Sequence, residues 1–143
     1  MSSDFPLCVI DNSYLISAVL SAYCEDENEN AMDYIESIVS ENGQFYVPQL
    51  FWFELGNVLL NAAKQKKDGS QARITQVQLV EIMQLVGKLP IFTDMTPDAQ
   101  TMQRIMTYAQ EYELSFYDAS YLELSKRYQI PLKTFDKNLK KIL

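Results

Sequence analysis

Four carboxylates stand where they could do chemistry together: Asp11, Glu54, Asp118 and Asp136. Asp11 ends the apolar run Leu7-Cys8-Val9-Ile10, and Asp136 ends Ile130-Pro131-Leu132-Lys133-Thr134-Phe135. If those runs are neighbouring strands of a parallel sheet, both carboxylates point into one crevice at its carboxyl edge. Each is equally well placed to N-cap the helix that follows, since Asp is among the best capping residues. Asp118 closes Ser115-Phe116-Tyr117-Asp118, the S-x-x-D form of a capping box, in which the acid only returns a hydrogen bond to the cap. Glu54 sits in Leu50-Phe51-Trp52-Phe53-Glu54-Leu55, the most apolar stretch of the chain, where a carboxylate is costly to bury without a partner. The alternative is a narrow polar stripe shared with Asn57 and Asn61. There is no histidine, which excludes Ser-His and Cys-His catalysis, histidine general bases and His-containing zinc sites. Chemistry in this chain rests on carboxylates, hydroxyls or a bound metal.

The elements that must position these acids follow from periodicity and breakers. A strand at 7–10 precedes a helix marked by Leu15, Ile16, Val19 and Leu20. A polar break at 25–30 leads to a second helix, with Met32, Ile35, Ile38 and Val39 on one face, ending near Asn42-Gly43. A strand at 45–47 stops at Pro48, and helical spacing then runs to about Lys66. Asp68-Gly69-Ser70 makes a turn before a fourth helix at about 75–86, and Pro90-Ile91-Phe92 forms a third strand. Thr96-Pro97-Asp98 opens a fifth helix with a proline in its first turn, and Ser115 opens a sixth that runs to about Tyr128. The last strand covers 130–135, and the tail forms a short basic helix. Strands alternating with helices imply an α/β domain with a mostly parallel sheet covered on both faces. The four glycines are isolated and form no phosphate-cradling loop.

The segments holding the acids, 9–13, 47–57, 114–124 and 131–139, resemble the PIN-domain ribonucleases, and most closely the VapC-type toxins of toxin-antitoxin pairs. The likeness runs from Val9 to Leu139, with 43, 64 and 18 residues between successive acids. It implies a single three-layer α/β/α domain over 1–143. It also implies that Asp11, Glu54, Asp118 and Asp136 are the catalytic carboxylates and metal ligands, with Ser13, Asn57 and Thr134 as supporting polar groups. Two carboxylates about 5 Å apart repel by roughly 3 kcal/mol at an effective dielectric near 20, so four converging acids need protons or a cation. An all-oxygen donor set favours Mg²⁺ or Mn²⁺. Such an ion activates water for in-line attack on a phosphodiester without any histidine. The resemblance further implies an RNA substrate, 5′-phosphate and 3′-hydroxyl product ends, a homodimer, and a VapB-type antitoxin partner. Phe51-Trp52-Phe53 spans too much of a helix to face one small sheet, so at least one of them faces a neighbouring helix or another chain, and the resemblance implies a hydrophobic groove beside Glu54 for the antitoxin.

The net charge of −7 argues at first sight against a nucleic-acid partner. Its distribution answers this. Residues 1–60 carry ten acids and no Lys or Arg, whereas residues 126–143 carry six basic residues and one acid. Lys133, Lys137, Lys140 and Lys141 flank Asp136 and are the candidates for RNA contact. Cys8 and Cys24 match neither a zinc nor a redox spacing. No stretch is apolar enough to span a membrane, and the start lacks the pattern of a signal peptide, so a cytoplasmic protein is expected. Two rival readings are a catalytically inactive PIN-fold binding module and a phospho-receiver signalling domain. The latter would require an adjacent pair of acids near the first strand, where only Asp11 stands.

Overall fold

Short apolar runs form the four strands β1 (Leu7–Ile10), β2 (Gln44–Val47), β3 (Ile91–Thr93) and β4 (Leu132–Lys133). The computed structural model describes residues 5–20, 29–64 and 69–143; Cys24, most of the break at 25–30 and the residues around Lys66 fall outside these. The strands pair in parallel in the order β3-β2-β1-β4, with Val9 opposite both Tyr46 and Leu132. Among the described residues seven helices accompany them: α1 (Asn12–Leu20), α2 (Glu29–Ser40), α3 (Leu50–Ala62), α4 (Gln76–Gly87), α5 (Ala99–Tyr112), α6 (Phe116–Tyr128) and α7 (Lys137–Lys140).

Strand order explains where a site can form. The chain steps outward from β1 to β2 to β3, then returns past both to place β4 on the other side of β1. Right-handed crossovers therefore put the helices of the outward steps on one face and α5 and α6 on the other. The packing agrees: α6 lies against β1, β2 and β4 and against α5, while α1 packs on α2 and α3. The result is a three-layer α/β/α domain built around the fully buried Cys8, Val9, Ile10, Phe45 and Val47. The direction reverses between β1 and β4, and it is outside the carboxyl ends of strands at such a switch point that open α/β sheets form their crevices.

Local chemistry sets several boundaries. Asn42 turns the chain out of α2 in a left-handed conformation (φ 60°). At the next position only glycine fits, because a Cβ on Gly43 would lie 2.2 Å from the Pro6 carbonyl oxygen. The fifth helix starts later than its sequence suggests. Asp98 is the N-cap, accepting from the Thr101 N–H at 2.8 Å, so Pro97 precedes the cap instead of occupying the first turn. The last strand shrinks from six residues to Leu132–Lys133, because Pro131 has no N–H to donate and Phe135 and Asp136 bond to side chains instead.

A further feature has no counterpart in the periodicity. Glu123, 1% exposed, receives Arg104 at 3.1 Å and Arg127 at 2.8 Å, and Arg127 also binds Asp94 at 2.6 Å. This network ties α5 and α6 to the end of β3.

Candidate active site

Asp11 leaves β1 at the switch point and is 6% exposed. Its Oδ1 accepts from Ser13 Oγ at 2.7 Å and from the Tyr14 N–H at 3.0 Å, so it caps α1; its Oδ2 accepts from Thr134 Oγ1. The two hydroxyls are oriented from behind. Ser13 Oγ accepts the Phe135 N–H and Thr134 Oγ1 accepts the Asp136 N–H, each at 2.9 Å. Each hydroxyl thus donates to Asp11 and accepts from the chain just past β4, stapling the ends of the two strands together. Burial holds the Asp11 carboxyl above the usual carboxylate range. Hydrogen bonds from Thr134, Ser13 and Tyr14 pull it part of the way back, and the charge on Asp136 pushes it up again.

Glu54 does not lie on a solvent-facing stripe. Its Oε1 accepts from Tyr121 Oη at 2.6 Å and from Asn12 Nδ2 at 3.2 Å. Asn12 Nδ2 also donates to the Phe51 carbonyl at 3.0 Å. Glu54 on α3 is therefore joined to α1 beside Asp11 and to α6 one turn from Asp118, across the top of the sheet. Tyr121 and Asn12 are the residues that sequence reasoning missed. Tyr121 was accessible in principle, lying three residues after Asp118 on the same helical face; Asn12 carried no signal beyond its place next to Asp11.

Asp136 caps α7, its Oδ1 accepting from Asn138 N–H at 2.9 Å and Leu139 N–H at 3.1 Å. Asp118 is capped in turn: its N–H bonds to Ser115 Oγ at 3.0 Å, but the reciprocal bond that completes a capping box is not made. Partial burial raises its carboxyl above the ordinary value, followed by the charge of Asp136; Ser115 lowers it, and Asp11 and Glu54 add smaller upward pushes. All four acids therefore share one electrostatic neighbourhood. Among the described residues no three of them have the spacing of a closed metal cage. The donor chemistry nevertheless suits a hard divalent cation: oxygen ligands alone, with carboxyls whose ionisation is opposed by burial and by one another.

The remaining sequence candidates separate. Asn57 is exposed on α3, and none of the hydrogen bonds around the four acids involves it. Lys137, Lys140 and Lys141 are exposed on or beside α7, directly after Asp136. Lys133 is half-buried with its ammonium over the Tyr34 ring, and Lys140 lies over Phe135. An apolar groove of about 420 Å³ runs between α3 and α4, lined by Trp52, Leu55, Leu59, Leu60, Met83 and Val86. Cys8 is buried, and its thiol is pushed up to about 11, which makes it inert.

The family model described as PIN domain matches residues 8–142. Among solved structures, the fold is similar to that of PAE2754 from Pyrobaculum aerophilum, with a TM-score of 0.63 and 19% identity, covering 94% of this chain and 78% of that one. It is also similar to Mycobacterium tuberculosis VapC20, a sarcin-ricin loop cleaving toxin, with a TM-score of 0.60 and 14% identity, covering 94% of each chain. At these identities the two structures bear on the fold alone. No curated protein matches the chain by sequence.

Proposed function

The chain belongs to the PIN-domain family, and from that premise we propose that it is a divalent-metal-dependent endoribonuclease acting as the toxin of a toxin-antitoxin pair. What supports the reading is that the Asp118 carboxyl is held above the ordinary carboxylate range by burial and then by the charges of Asp136, Asp11 and Glu54, beside the ends of the adjacent strands β1 and β4. Carboxylates gathered against their own repulsion suit a site made for positive charge.

In this reading the four carboxylates hold Mg²⁺ or Mn²⁺, which when bound supplies a Lewis acid that lowers the pKa of water and offsets charge developing on the leaving oxygen. Ser13 and Thr134 keep Asp11 aimed, since each hydroxyl is fixed at both ends. Lys137, Lys140 and Lys141 give the RNA backbone a basic approach beside Asp136, offsetting an acidic protein. The α3–α4 groove suits an apolar segment of a VapB-type antitoxin, and the remaining exposed apolar surface suits a homodimer. A cytoplasmic site of action belongs to the same reading. No helix among the described residues is long and apolar enough to cross a membrane.

The test is cleavage of RNA by purified protein with Mg²⁺ or Mn²⁺, and its arrest by EDTA. Asp11→Asn is expected to lower the rate by orders of magnitude while the protein stays folded. Full activity in that variant, or in EDTA, would overturn the assignment.

A further inference from the structure

Glu54 stands on a helix with a carboxylate whose final torsion is intrinsically loose. Both hydrogen bonds to it fall on the same oxygen, Oε1, and they come from helices on opposite faces of the sheet, Asn12 of α1 and Tyr121 of α6. Among the described residues Oε2 accepts none. The donors are themselves immobile, Asn12 being 9% and Tyr121 1% exposed. Tyr121 donates at 2.6 Å, a short hydrogen bond.

Asn12 shows that this arrangement is maintained at a cost. Among the described residues its Oδ1 is buried without a hydrogen-bond partner, and an orphaned buried acceptor is destabilising. Turning the amide over would bring Oδ1 against the Phe51 carbonyl and the Glu54 carboxylate, two repulsive contacts replacing two bonds. The amide is therefore locked with Nδ2 toward α3, gripping Phe51 and Glu54 one turn apart.

We propose that Asn12 and Tyr121 are positioning residues which fix the Glu54 carboxylate by its Oε1 and leave Oε2 available to a divalent cation in the crevice beside Asp11. This rests on the metal-dependent reading above and assigns two residues to it that touch neither cation nor substrate. Groups that orient a ligating carboxylate govern metal affinity without ligating, with losses of about 10–100-fold when removed.

The test is Mn²⁺ affinity, read from the free-ion paramagnetic resonance signal, in wild type, Tyr121→Phe, Asn12→Ala, Glu54→Gln and the double variant Glu54→Gln/Tyr121→Phe. Tyr121→Phe keeps the ring that fills the core and is expected to weaken Mn²⁺ binding about 10-fold, with melting in EDTA lowered only slightly. Asn12→Ala is expected to do the same. In the Glu54→Gln background the tyrosine substitution should change affinity less than about twofold, because its target is gone. Wild-type affinity in Tyr121→Phe, while Glu54→Gln binds weakly, would overturn the positioning role and leave the metal reading standing. Equal weakening in both backgrounds would overturn it too, since Tyr121 would then act on something other than Glu54. If wild type itself binds no Mn²⁺, the metal reading fails and this inference goes with it.

Discussion

Asp118→Asn should make the metal-free protein more stable while abolishing its activity. The substitution keeps the size of the side chain and removes a charge opposed by partial burial, then by Asp136, and to a smaller degree by Asp11 and Glu54. A like charge about 8 Å away through an effective dielectric near 40 raises the energy of an ionised group by about 1 kcal/mol. Several such neighbours, discounted for the solvent screening of a partly exposed carboxyl and for lost interaction with the N-terminus of α6, put the net gain at about 1 kcal/mol. In a domain of this size that raises Tm by about 3–5 °C. The sign depends on pH. The folded chain holds the Asp118 proton more tightly than the unfolded chain, so wild-type stability falls as pH rises from the ordinary value of 3.8 through the raised folded one. The advantage of the variant should therefore be full at neutral pH and vanish in acid, below both values. Scanning fluorimetry in EDTA at neutral pH and near pH 3.5, alongside RNA cleavage in Mn²⁺, measures both halves. An equal or lower Tm for the variant at neutral pH would refute the idea that the acids converge.

Three further outcomes are expected. Arg127→Met leaves Glu123 buried with Arg104 alone, and should cost about 3 kcal/mol in a denaturant titration, the low end for breaking a buried ion pair. Reversing charge in Lys137→Glu/Lys140→Glu should weaken RNA binding and flatten its dependence on salt, by about 0.7 of slope for each phosphate that is no longer neutralised; an unchanged slope would make these lysines solvated surface. Sedimentation at tens of micromolar should give a dimer, and a monomer throughout that range would remove self-association from the proposal.

The order of elements was legible because the first three strands are short runs closed by Asp11, Pro48 and Asp94, and the longer helices carry apolar residues at helical spacing. What periodicity could not supply was contact between residues distant in the chain. Tyr121 reads as core by its spacing, and it is core, yet its hydroxyl reaches an acid 67 residues earlier. Glu123 follows a leucine on a buried face and has no sequence mark of the two arginines that neutralise it. The Thr96-Pro97-Asp98 start was placed two residues early for a local reason: Asp98 and Thr96 both suit a cap, and the choice falls to whichever side chain meets the Thr101 N–H.

The capping and functional readings of the acids, which look like rivals in the sequence, are compatible in the fold. A residue that ends a parallel strand and begins a helix has its side chain beside the first free N–H groups and at the mouth of the crevice at once. Asp11 and Asp136 each bond one oxygen to those N–H groups, which fixes the carboxylate without neutralising it. Glu54, inside a helix, has no free N–H to hold it, and the bonds from Asn12 and Tyr121 take over that task. Asp118 is the exception, since its carboxylate takes no backbone N–H of the helix start: its own N–H bonds to Ser115 Oγ, and the Ser115 hydroxyl draws its carboxyl down. Removing its charge should consequently expose the repulsion within the crevice with little loss of capping, whereas the same exchange at Asp136 would also weaken the start of α7.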